Sequence, residues 1–416
     1  MDVTTGLKTT PLGNFPSDWD CRDVGSLDPF VTSGSRGWAK HYTEFGAAFI
    51  RITNMSREAI ELDLSDLKQV RVPANDAEAN RTQLRVGDVL VSITADIGIV
   101  SWVGEGVPSP AYINQHVSLI RFLRPGVNSR YVAYFLAAEA SQRAFRAQTD
   151  QGAKAGMNLE EVRRVRVVLP SEAEQMAIAA ALSDVDALLT KLDQLIAKKR
   201  DLKQAAVQQL LTGRRRLPGF AGPWTTACIE ELADVDPSAL PAGTTPGFAF
   251  NYISLEDVDR GSLNGWSEQT FATAPSRARR LLRPQDVLVS TVRPNLQSHL
   301  LFAGGLGDWV CSTGFAVLRA KPGRASPRFL FECLFSSVVT RQIESMLTGS
   351  NYPAINSGDV RRLVVPAPEC DEQAAIASVL ADMGAEIAAI ETRREKTRQL
   401  KQGMMQALLS GRIRLV

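Results

Sequence analysis

Residues 170–217 of this chain recur without a gap as residues 368–415, and 21 of the 48 paired positions are identical. The offset of 198 residues extends beyond these segments: Leu84–Ser92 lies over Leu282–Ser290, and Arg130-Tyr131 lies over Arg328-Phe329. Further upstream the register drifts, so that Phe15 and Trp19 match Phe220 and Trp224. A period of this length confines the fold to two similar halves, each ending in a helical segment, and suits a target with approximate two-fold symmetry. The helical pieces are near copies. The pieces between them share strands and differ in their loops, which is how one frame carries two binding specificities.

The first helical copy carries signals at both ends, whereas the second opens with Glu369-Cys370 in place of the Ser171 cap, so its start is not fixed by a cap. Pro170-Ser171-Glu172-Ala173-Glu174 supplies a proline, a capping serine and a glutamate three residues later, a capping box. Apolar residues then recur with helical period at Val185, Leu188, Leu189, Leu192, Leu195 and Ile196, and in the second copy at Leu380, Met383, Ile387, Ile390, Leu400, Met404 and Leu408. The two stripes are expected to cover each other as an antiparallel coiled coil. From Asp184 to Thr212 the helix would extend about 43 Å at 1.5 Å per residue, with Gly213 as its stop. Polar residues outside the stripe also recur: Glu174 and Gln175 with Glu372 and Gln373, Lys203 and Gln204 with Lys401 and Gln402, and Arg214 with Arg412. A stripe needs none of these, so the expectation is that they dock an external partner twice.

The intervening segments read as α+β. Short apolar or alternating runs at 49–52, 89–93, 117–122 and 165–169 are separated by Gly, Ser, Asn and Pro clusters, with helices expected over 130–147 and 327–346. The boundaries implied are 1–169 and 218–367 for the globular domains, and 170–217 and 368–416 for the helical spacers. Several loops combine glycine with readers of polar edges. In the first half these are Ser35, Arg36, Trp38, Lys40 and His41, then Asn114, Gln115 and His116, and Lys154. The second half offers Arg293 and Asn295, Ser312 and Thr313, and Asn351 and Tyr352. Arginine forks guanine, Asn and Gln pair with adenine, and lysine neutralises phosphate, so this set fits base and backbone contacts on DNA.

Composition narrows the chemistry. Net charge is only +2, which excludes a uniformly basic nucleic-acid protein but not local patches such as Arg277, Arg279, Arg280 and Arg283, or Arg214, Arg215 and Arg216. The five cysteines, Cys21, Cys228, Cys311, Cys333 and Cys370, have no CxxC spacing, and the three histidines His41, His116 and His299 are scattered, so no metal site is expected. No phosphate-binding or dinucleotide-binding glycine loop is present, and no catalytic residue is assigned. Asp88 and Asp286, each between a turn and a strand, are expected to cap loops. No apolar run resembles a membrane span, the first residues lack a signal peptide's apolar core, and the expected location is cytoplasmic.

The EQxAIAxxL opening at Glu174 and Glu372 and the LLxGRxR closing at Leu210 and Leu408, each in duplicate, with the GDVLVS stretch at 87–92 and the STGF stretch at 312–315, resemble the specificity subunit of type I restriction-modification enzymes. That resemblance covers essentially the whole chain. It implies two target recognition domains that read the parts of a split, asymmetric DNA site, and spacer helices on which two methyltransferase subunits dock, with restriction subunits joining through them. It implies no cofactor in this chain; S-adenosylmethionine, ATP and Mg would serve the partners. The reading from another class is a protein-interaction scaffold with duplicated domains. That reading predicts weak association with DNA that is insensitive to salt, whereas phosphate contacts weaken steeply with salt.

Overall fold

The computed structural model describes residues 6–34, 37–72, 76–149, 156–348 and 353–416. The chain divides into two compact units that do not follow its order: residues 1–193 with 393–416, and residues 194–392. Two 39-residue helices, Glu172–Leu210 and Cys370–Leu408, are each shared between the units. Each unit is therefore one globular domain resting on the start of one long helix and the end of the other.

The first helix begins as its sequence dictates, with Ser171 Oγ accepting from Glu174 N at 3.3 Å. Both helices stop at a glycine in the left-handed region, Gly213 at φ 69° and Gly411 at φ 72°, where a side chain would be strained. Within each unit the helices run antiparallel. In the first unit Asp186 meets Lys401 at 2.6 Å and Asp193 meets Arg394 at 2.5 Å; in the second Lys199 meets Glu386 and Arg200 meets Glu391, both at 2.5 Å.

The apolar stripe is only partly covered. Leu192, Ile196, Leu380, Ile387 and Leu408 are buried, whereas Leu188, Leu195 and Leu400 stay exposed, against the expectation of a sealed seam. Much of the burial is against the globular domains. Ile178 and Leu182, with Leu408 and Leu409, pack on Trp19, Tyr131 and Phe135. Ile376 and Leu380, with Val207, Leu210 and Leu211, pack on Phe329, Leu330 and Cys333. An 18-residue stretch of the second helix reaches a mean hydropathy of 1.4, contrary to the expectation that no such stretch exists; alanine supplies much of it.

Each globular domain holds two four-stranded sheets, one of which has the same strand order in both units. In the first unit Phe30–Ser33, Val117–Arg121, Val89–Ser92 and Val100–Trp102 lie side by side, all antiparallel. The second unit repeats this with Ala233–Val235, Phe315–Ala320, Val287–Ser290 and Leu300–Leu301. The other sheet contains one parallel pair in each unit, Ala47–Ile50 with Ala111–Ile113 and Ala249–Ile253 with Trp309–Ser312. Central strands are buried on both faces, which explains their continuous apolar runs in place of alternation.

The helices expected over 130–147 and 327–346 are each two helices: Ser129–Ala137 with Glu139–Thr149, and Pro327–Cys333 with Ser337–Met346. Ala138 is extended (φ −74°, ψ 156°), and Ser336 caps a fresh start by accepting from Val339 N. The loop-capping aspartates behave as expected. Asp88 accepts from Arg85 N and is gripped by Arg121 at 2.7 Å through two nitrogens; Asp286 accepts from Arg283 N and holds Arg319 at 2.9 and 2.7 Å.

Candidate nucleic-acid interface

In each unit three loops meet at the same end of the buried strands. In the first unit the turn after Val89–Ser92 bonds both neighbours: Ile93 N donates to His116 O at 2.9 Å and Met157 N donates to Ile93 O at 2.7 Å. The second unit makes the same bonds 198 residues on, Thr291 N to Gly314 O at 2.8 Å and Ile355 N to Thr291 O at 2.9 Å. Thr94 bridges Gly156, and Val292 bridges Ala354, again at equivalent places. His116 is thereby brought beside Thr94, and Gly314 beside Thr291.

The frame is shared and the side chains are not. At the apex of the turn Ala95 (φ 63°) and Arg293 (φ 48°) occupy equivalent left-handed positions, a conformation that costs a non-glycine residue free energy and persists where surroundings impose it. Arg57 imposes it in the first unit: its guanidinium reaches Asp96, Ile97 O at 2.9 Å and Gln142 Oε1 at 2.5 Å. Arg293 N donates to Pro353 O at 2.8 Å in the second. His116 Nδ1 is hydrogen-bonded to Thr94 Oγ1, and its Nε2 lies 3.3 Å from Gln115 Nε2. Asn114 Oδ1 accepts from His116 N at 3.2 Å. Arg293, Asn295 and Thr313 are exposed, while Ser312 is buried and its Oγ accepts from Gly314 N at 3.2 Å, so Ser312 shapes the loop and does not face a ligand.

Gly34 joins the Ser33–Tyr42 loop to the first cluster. A Cβ there would stand 2.0 Å from Asn114 O and 2.2 Å from Ile113 O, so only glycine permits the approach. Lys40 is exposed and His41 half-buried. Trp38 departs from expectation. It is 5% exposed, stacked on Phe49 at 5.7 Å and edge-on to Tyr112 at 5.3 Å, so it is core of the small sheet and not a base platform. The aromatic groups exposed nearby are Tyr42 and Phe45. Ser35, Arg36, Lys154, Asn351 and Tyr352 lie outside the described residues. In the basic group of the second half, Arg277 and Arg283 are exposed, whereas Arg280 is paired with Asp236 and Arg279 covers the Phe271 ring at 4.8 Å.

The recurring polar residues of the helices have an internal cause, which corrects the expectation of external docking for most of them. Glu174, Gln175, Glu372 and Gln373 are all buried. Gln175 accepts from Asn128 N at 2.9 Å and donates to Pro170 O and Gly126 O; Gln373 accepts from Ser326 N at 2.9 Å and donates to Pro368 O and Arg324 O. Each amide thus closes a helix start onto its globular domain. Glu174 takes Arg414 at 2.5 and 2.7 Å, and Glu372 takes Arg216 at 2.5 and 2.7 Å. These arginines also cover Trp19 and Trp224, at 5.5 and 5.4 Å. Lys401 is buried against Asp186, and Lys203 lies 3.9 Å from Glu332. Gln204, Gln402, Arg214 and Arg412 remain exposed. So do Leu202 and Leu400, an apolar pair at the repeat offset that sequence reasoning assigned to no partner surface.

Among the described residues no group of three or more His, Cys, Asp or Glu side chains is arranged to hold a metal ion. His299 is buried and its pKa is pushed down to about 4 by that burial; its Nδ1 accepts from Ser290 N at 3.2 Å, a structural role.

The chain thus holds duplicated α+β domains, each with a loop cluster on a shared frame and each packed on the ends of the paired long helices. The type I restriction modification DNA specificity domain matches residues 47–199 and 285–401, and the chain belongs to that family. It is similar to the type I restriction enzyme MjaX specificity subunit of Methanocaldococcus jannaschii, 22% identical across 98% of this chain and 97% of that one. The MjaVIII specificity subunit of the same organism is 22% identical across 60% of this chain and 63% of its own length. Two solved structures share the fold. The type I restriction-modification S subunit from M. genitalium has a TM-score of 0.60 at 13% identity, covering 98% of both chains. A chain from a study of assembly and conformational transition of the type I system has a TM-score of 0.53 at 16% identity, covering 96% of this chain and 99% of that one. The chain is a DNA-recognition subunit of a type I restriction-modification system.

Proposed function

We propose that each unit reads one part of a bipartite, asymmetric DNA site through its loop cluster, and that the long helices carry two methyltransferase subunits and, through them, the restriction subunits. The observation that carries this reading is the pair of equivalent loop clusters with unlike chemistry: Ala95 and Asn114-Gln115-His116 in one, Arg293 and Ser312-Thr313-Gly314 in the other. Identical frames displaying different donors and acceptors select different base edges. Thr94, Gln115, His116 and Lys40 are the groups for one half-site, with Arg293, Asn295, Thr313 and Arg277 for the other.

The chain itself is non-catalytic in this reading. S-adenosylmethionine, ATP and Mg belong to its partners, and the complex works in the cytoplasm. Leu202, Gln204, Leu400 and Gln402, exposed at equivalent helix positions, supply two copies of one docking surface, with Arg214 and Arg412 beyond them. Two identical partners follow from two identical surfaces.

The test is co-expression with the methyltransferase subunit encoded beside this chain and mapping of N6-methyladenine across the host genome. The expected result is one split motif, two short defined parts around a fixed undefined spacer, lost when this chain is omitted. A soluble assembled complex that leaves the genome unmethylated would refute the reading.

A further inference from the structure

The group that neutralises the helix lysine differs between the units. In the first, Lys401 Nζ lies 2.6 Å from Asp186 on the opposing long helix, and Tyr134 Oη donates to the same carboxylate at 2.6 Å. Glu58 O accepts from Nζ at 3.0 Å. At the repeat offset, the places of Tyr134, Asp186 and Lys401 are held in the second unit by Glu332, Gly384 and Lys203. The carboxylate has left the helix and stands on the globular domain, where the first unit has its tyrosine. Glu332 Oε2 is 3.9 Å from Lys203 Nζ, and a Cβ on Gly384 would stand 3.3 Å from that same Nζ, so the lysine fills the space an aspartate would take.

Either arrangement gives the lysine one buried carboxylate at these three positions, with Glu61 and Arg130 nearby in the first unit and Arg328 in the second. A mixed arrangement does not. The first domain seated on the second helix end would set a tyrosine and a glycine around Lys203, with no buried carboxylate there and only the exposed Glu61 of that domain nearby. The second domain seated on the first end would set Glu332 beside Asp186, two buried carboxylates for one lysine, the case in which like charges destabilise each other most. Burial already raises the Glu332 pKa, with Lys203 opposing that rise.

We propose that these three positions form an address that matches each globular domain to its own end of the helix pair, so that a domain moved to the other end, or a foreign domain grafted there, seats stably only when its residue at the Tyr134/Glu332 position complements the helix residue at Asp186/Gly384. This inference is independent of what the domains bind.

The test is a double-substitution cycle in the full chain read by thermal unfolding. E332Y and G384D are each expected to lower the Tm, E332Y by roughly 5 °C or more from breaking a buried pair. The double variant E332Y/G384D, which rebuilds the first unit's arrangement in the second, is expected to recover at least half of the summed loss. G384N, which makes the same steric and helix change without charge, should give no recovery when combined with E332Y. In the first unit Y134E/D186G should likewise exceed the stability expected from Y134E and D186G added together. Additive losses in both units would overturn the proposal, as would equal recovery with G384N. If Y134E or D186G fails to accumulate in soluble form, the second-unit cycle decides.

Discussion

Removing the Arg414 guanidinium by R414A tests whether the recurring glutamates are internal clamps. Arg414 spans Glu174 at 2.5 and 2.7 Å and Asp18 at 3.2 and 2.8 Å, and lies over Trp19. Glu174 is 1% exposed at its side chain, so the substitution strands a buried carboxylate. Breaking a buried pair costs about 3–5 kcal/mol, and the quarter exposure of Arg414 places the expectation at the low end, about 3 kcal/mol. In a unit of 150–250 residues that corresponds to a Tm lower by about 6–12 °C. Because the penalty comes from the stranded charge, R414A/E174Q should be more stable than R414A. Differential scanning calorimetry of the four species gives the coupling, and R216A with E372Q repeats the measurement at the equivalent clamp. A Tm loss below about 2 °C for R414A, or a double variant no better than the single, would refute the argument. Arg414 also holds the Asp18 pKa below its ordinary value. That small contribution is present above the unfolded carboxylate range and is lost as pH falls through the folded value.

G34A should force Asn114 away and abolish recognition of the first half-site while the second is still read, which methylation mapping on half-site variants would detect. R293A should relax the second half-site only; equal loss at both would contradict separate reading. L202D/L400D should reduce methyltransferase stoichiometry on native mass spectrometry without changing the chain's Tm by more than about 2 °C, since both side chains are exposed. For His299 the folded pKa of about 4 lies below the ordinary 6.5, so the unfolded state binds the extra proton first. Stability from this group is whole above pH 6.5 and falls between 6.5 and 4, by about 3 kcal/mol. Urea unfolding against pH should show that slope and H299F should lose it.

The duplication, the helix ends and the alternation of elements were legible in the sequence, because capping, periodicity and repeat offset are local or one-dimensional properties. Ser171 and Gly213 are read correctly from their neighbours alone, and Asp88 and Asp286 cap the turns in which they sit. The loop residues were half legible. Residue type marks Asn114, Gln115 and Arg293 as capable of reading bases, but Trp38 belongs to a core that forms only when Phe49 and Tyr112 arrive from distant strands. Its role depended on burial, which a tryptophan beside lysine and histidine does not disclose. The buried identity of Glu174, Gln175, Glu372 and Gln373 was invisible for the same reason. Their partners are Arg414, Asn128, Arg216 and Ser326, 47 to 240 residues away. Recurrence of a polar residue signals a repeated constraint, and only the tertiary structure decides whether that constraint faces inward or outward. Likewise the chain order suggests four consecutive modules, whereas antiparallel packing of two 39-residue helices returns the last 24 residues to the first unit. A helix long enough to serve two domains cannot be assigned to either from its own residues, because what it buries is set by the surfaces brought against each end.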